Sequence, residues 1–110
     1  MAWTSIYDGE TLSAGTHWTS PIGLWDNKGH HSIEYTITGD GTVTITPYTS
    51  ISGKDWVSNG VKVSAATKTS GPDGDGKNNV PLSLYPSELI KFKIVVGSAE
   101  VVLSLWFTQK

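Results

Sequence analysis

The residues of this 110-residue chain that are best suited to chemistry fall into three groups. The first is Asp73-Gly74-Asp75-Gly76-Lys77-Asn78, where two carboxylates two positions apart sit on a glycine-bent stretch, the way calcium loops gather hard oxygen ligands. Asp73, Asp75 and Asn78 form an incomplete set for that purpose. Lys77 puts a cation where an EF-hand loop needs its third oxygen, and Leu84 stands where the bidentate glutamate belongs. A plain polar turn is expected, with calcium as the alternative. The second group is His17, His30 and His31. Adjacent residues of a strand point to opposite faces, so His30 and His31 are not expected to share one ion. Solvated loop histidines are the ordinary reading, and a metal shared across an oligomer axis is the other. The third group is five tryptophans, Trp3, Trp18, Trp25, Trp56 and Trp106, many for a chain of this size. Indoles fill sandwich cores, anchor subunit contacts or, when exposed, stack on sugars. Trp3, Trp18, Trp25 and Trp106 are assigned to partner or oligomer contacts, and Trp18, Trp25 and Trp56 form the sugar-stacking set of a rival reading.

No catalytic apparatus joins these groups. A serine hydrolase of the α/β type needs a Gly-x-Ser-x-Gly elbow, which is missing. With ten acids in the chain, an accidental carboxylate pair says little about glycoside hydrolysis. No glycine-rich loop opens a helix to cradle phosphate. The chain is therefore expected to be non-enzymatic and to carry no cofactor.

The elements that must hold these residues are strands. Residues 32–38 read Ser-Ile-Glu-Tyr-Thr-Ile-Thr, with Ile33, Tyr35 and Ile37 on one face; after Gly39-Asp40-Gly41 the alternation resumes through Val43 and Ile45. The short glycine turn between two alternating runs predicts a β-hairpin. A second hairpin is predicted at the end, with Ile90, Phe92, Ile94 and Val96 on one strand and Val101, Leu103, Leu105 and Phe107 facing inward on the other. Val102 and Trp106 make that last strand apolar on both faces, which suits a central or partner-covered position. Shorter candidates are residues 3–7, 22–25, 56–57, 61–66 and 80–84. Pro47 and Pro81 lack an amide donor, so their strands should lie at edges or begin there. Residues 69–79 contain no aliphatic side chain and are expected as an exposed loop. About eight short strands with turns every 8 to 12 residues describe an all-β antiparallel sandwich, jelly-roll-like.

The composition narrows the partners. All eight basic residues are lysines, scattered from Lys28 to Lys110, and the formal charge is −2. Without arginine or a basic patch, neither a nucleic acid nor an anionic membrane surface is an expected partner. There is no cysteine, so no disulfide or thiolate site is possible and packing must supply the stability. Residues 1–110 are expected to form one domain, residues 1–20 serving as an N-terminal arm or an edge strand that makes partner contacts. Met1-Ala2-Trp3-Thr4-Ser5 has no basic stretch leading into an apolar core, so the chain is expected to be kept without export.

Taken in order, residues 32–45, Gly53-Lys54-Asp55-Trp56-Val57, the loop 70–77 and the ending 89–94 with 101–107 resemble the small β-sandwich virion proteins encoded among the structural genes of tailed bacteriophages and prophages. The resemblance spans most of residues 32–108. It implies a virion component such as a capsid decoration protein or a head or tail accessory. Such a protein works as a homo-oligomer, dimer or trimer, against the major capsid protein or other virion proteins. The alternative is a carbohydrate-binding β-sandwich module of a host-recognition apparatus.

Overall fold

Period-two alternation resolves into two antiparallel sheets packed face to face, in a computed structural model that describes residues 2–24, 31–66 and 70–109. Among the described residues ten strands follow one another: β1 (Ala2–Leu12), β2 (Gly15–Trp18), β3 (Ile22–Gly23), β4 (His31–Gly39), β5 (Thr42–Ser50), β6 (Val57–Ser58), β7 (Val63–Ala66), β8 (Lys77–Pro81), β9 (Leu89–Gly97) and β10 (Val101–Gln109). One sheet has the order β1-β10-β4-β8. The other has the order β2-β9-β5-β6, with β3 also on β9 and β7 also on β5. The pairs β2/β3 and β6/β7 each act as one broken edge strand, which leaves eight strand positions in a jelly-roll order. Thr19 spans the first break: its amide donates to the Phe92 carbonyl at 3.1 Å and its hydroxyl accepts from the Phe92 amide at 2.9 Å.

Neither predicted hairpin forms. β4 and β5 lie in opposite sheets, as do β9 and β10; the pairs that form are β4 with β10 and β5 with β9. Each two-strand unit is thus an arch that crosses the core, and the two arches stack. An arch and a hairpin share the same alternation, because in both the apolar face of each strand meets the core. The glycines serve the corner instead of a tight turn. Gly39 has φ 107°, and a Cβ on Gly41 would lie 2.1 Å from the Ala99 carbonyl oxygen, so the corners touch through bare backbone.

The inward residues are those that the alternation selects. Ile33, Tyr35, Ile37, Val43, Ile45, Ile90, Phe92, Ile94, Val96, Val101, Leu103, Leu105 and Phe107 are all buried, and β10 is central between β1 and β4. At roughly 1.5–3 kcal/mol for each large apolar side chain, this layer dominates the stabilisation. Leu12 at the end of β1, with Leu24, Leu82 and Leu84 from the connecting segments, completes it.

Three other expectations are corrected. Pro47 sits inside a central strand, yet its carbonyl accepts from the Asn59 amide, so its ring nitrogen faces the gap between β6 and β7 where no donor is needed. Residues 77–79 are not loop: Lys77, Asn78 and Asn79 form most of the edge strand β8, because ladder bonds to β4 need backbone and not aliphatic side chains. His31 is not solvated. It is buried at the start of β4, stacked on Phe107 at 6.0 Å and 3°, and neither ring nitrogen has a hydrogen-bond partner among the described residues.

Candidate functional site

The sheets divide the tryptophans between two outer faces, and Trp25 lies outside the described residues. On the β9 sheet, Trp18 in β2 is opposite Lys93, and Tyr48 in β5 is opposite Lys91. Trp18 meets Tyr48 edge to face at 5.0 Å, while the Lys91 ammonium lies 4.7 Å from the Trp18 ring and 4.5 Å from the Trp56 ring. Lys93 stands 5.9 Å from Trp18. These indoles already have cations over their faces, each contact worth about 0.5–1 kcal/mol at an exposed site.

The β10 sheet arranges its aromatics differently. Along one cross-strand row lie Ser5, Trp106, Glu34 and Asn79; along the next lie Trp3, Thr108, Ser32 and Pro81. Trp3 and Trp106 are therefore diagonal neighbours, and they line a groove of about 500 Å³ with Ser32, Glu34, Asn79 and Thr108. Trp3 is 67% exposed. Ala2–Leu12 forms the edge strand β1, paired with β10 along most of its length.

A third surface was not singled out by any sequence pattern. At one end of the sandwich Ile51 (75% exposed), Val57 (63%) and Tyr85 (79%) surround a hollow of about 410 Å³. Buried Asn59 mounts it: its side-chain amide donates to Thr49 Oγ1 at 2.8 Å and to the Tyr85 carbonyl at 3.1 Å, and its Oδ1 accepts from the Tyr85 amide at 2.9 Å. The backbone of Tyr85 is held on both sides while its ring projects into solvent. Two exposed apolar residues around a polar Asn would have been the only sequence signal.

The acidic loop closes on itself. Gly76 donates to the Ser70 carbonyl at 2.9 Å, Asp75 Oδ1 accepts from the Lys77 amide and Asn78 Oδ1 from the Asn79 amide. Asp73 lies with Lys77 and Asn78 along a neighbouring hollow that reaches Trp106. His17 bonds the Ser13 carbonyl through Nε2 at 2.8 Å from β2, in the sheet opposite His31, and His30 lies outside the described residues. Among the described residues no three His, Cys, Asp or Glu side chains group as metal ligands. Burial, and then the Glu10 carboxylate, push the Tyr7 phenol above its ordinary value of 10.0.

No protein-family model and no curated protein sequence matches the chain. Solved structures do. VP2 of infectious bursal disease virus, solved as a subviral particle, superposes with a TM-score of 0.54 at 16% identity, over 96% of this chain and 31% of that one. The Gt strain of the same virus gives a TM-score of 0.50 at 14% identity, over 96% of this chain and 30% of the other. The chain thus spans under a third of the length of these proteins, and the likeness is one of fold: an all-β, jelly-roll-like antiparallel sandwich.

Proposed function

We propose that the chain is a non-enzymatic structural protein of a bacteriophage virion, a decoration protein seated on the capsid lattice as a homo-oligomer. The observation that carries this reading is the end of the sandwich where Tyr85, Ile51 and Val57 stand exposed on a backbone fixed by Asn59. Exposed apolar groups around one hollow mark association sites, and an anchor on a fixed backbone has no backbone freedom to lose on docking. The shared fold with a viral particle protein and the order of motifs along residues 32–108 support the same reading. Many copies on a repeating surface multiply contacts that are individually weak.

Co-sedimentation with shells of the major capsid protein from the same genome tests it. The wild-type chain should pellet with the shells to a fixed ratio, and the double variant Ile51→Ser, Tyr85→Ser should need at least tenfold more protein. A chain that stays in the supernatant, or a double variant that pellets like the wild type, contradicts the proposal. Light scattering in solution should give a dimer or trimer, and a strict monomer counts against the homo-oligomer.

A further inference from the structure

We infer that the groove on the outer face of the β1-β10-β4-β8 sheet binds a neutral pyranoside glycan, with Trp3 and Trp106 as its stacking floor. This does not rest on the capsid proposal, which uses the end of the sandwich. A pyranose offers an apolar C–H face and a rim of hydroxyls that both donate and accept. The groove offers the complement: two indoles toward β1, and Glu34, Ser32 and Asn79 toward β8. Among the described residues the side chains of Ser32, Glu34 and Asn79 make no hydrogen bond or ion pair, so their polar atoms are available. The volume of about 500 Å³ lies in the range of small-ligand sites.

The other indoles fit less well. Trp18 and Trp56 have the Lys91 ammonium over their rings, whereas no cation lies over Trp3 or Trp106 among the described residues. An apolar peptide offers the Glu34 carboxylate backbone amides and no side-chain donor or cation, so burying that charge is costly. A lysine-rich peptide would satisfy Glu34, but it could accept from Ser32 and Asn79 only through its backbone carbonyls and brings no flat apolar face to the two indoles. A hydroxyl-rich ring brings that face together with groups that donate to Glu34 and accept from Ser32 and Asn79.

An array of neutral hexose and N-acetylhexosamine oligosaccharides, followed by a titration of the best binder read at the tryptophan indole NMR signals, tests the site. Saturable shifts should appear at Trp3 and Trp106 and not at Trp18 or Trp56. Trp106→Ala should weaken binding at least tenfold, Trp106→Phe should retain part of it, and Trp56→Ala should leave it unchanged. Glu34→Gln should weaken it severalfold. An array without saturable binding, shifts centred on Trp18 and Trp56, equal loss in Trp106→Phe and Trp106→Ala, or a response to a lysine-rich peptide and to no glycan each overturns the inference. None of these outcomes alters co-sedimentation with capsid shells.

Discussion

On the outer face of the β9 sheet, Trp18 and Trp56 share the Lys91 ammonium, whereas on the opposite face Trp3 and Trp106 stand beside Glu34 with no cation over either ring among the described residues. The residue types are alike; the charge of the neighbouring strand differs. β9 points Lys91 and Lys93 outward, and an ammonium over an indole satisfies both groups within the chain. β4 points Glu34 outward, and a carboxylate finds nothing on an indole face. One face is closed by its own side chains and the other is open to a ligand. A tryptophan's availability is thus set by the strand beside it more than by its exposure.

The largest effect on this comparison comes from the corners that assign β4 and β9 to different sheets. Gly41→Ala should cost about 3 kcal/mol, since its Cβ meets the Ala99 carbonyl oxygen at 2.1 Å, and thermal unfolding would show both faces lost together. Asn59→Ala comes next, at about 2 kcal/mol, because a buried amide loses its bonds to Thr49 and Tyr85. Denaturant titration would measure that cost, and weaker capsid binding than stability alone explains would tie it to Tyr85. The faces themselves separate at a smaller scale. Lys91→Ala should destabilise by about 1 kcal/mol through two lost cation–π contacts, while Trp3→Ala should stay within about 0.5 kcal/mol of wild type in the same titration. The smallest effect is alkaline. The folded state holds the Tyr7 phenol above its value of 10.0, so the stability tied to its neutral form is complete below pH 10.0 and is lost as pH rises through the raised value. Tyr7→Phe should remove that alkaline loss, read as a urea midpoint that falls less steeply above pH 10.0.

Which side chains enter the core was legible from the sequence, because period two in Ile33-x-Tyr35-x-Ile37 and Val101-x-Leu103-x-Leu105-x-Phe107 is imposed by the pleat itself. Strand partners were not legible. A jelly roll sends the chain across the core at most of its connections, so Gly39-Asp40-Gly41 looks like a hairpin turn while forming a corner against Glu100 and Ala99. β2 was missed since Gly15-Thr16-His17-Trp18 has no aliphatic alternation and joins the sheet through its backbone and one indole. The division of tryptophans between faces follows from the pairing and was hidden with it. Asn59 lies in the break between two short strands, where no periodicity marks a residue whose partners are 10 and 26 positions away.

Cryo-EM reconstruction of capsid shells saturated with the chain would show directly whether and how it is seated on the lattice. Added density is expected at every equivalent lattice position, an antiparallel sandwich whose Ile51, Val57 and Tyr85 end meets the shell and whose Trp3 and Trp106 groove faces solvent. Bare shells at saturating protein, or density attached through the groove face, would contradict it.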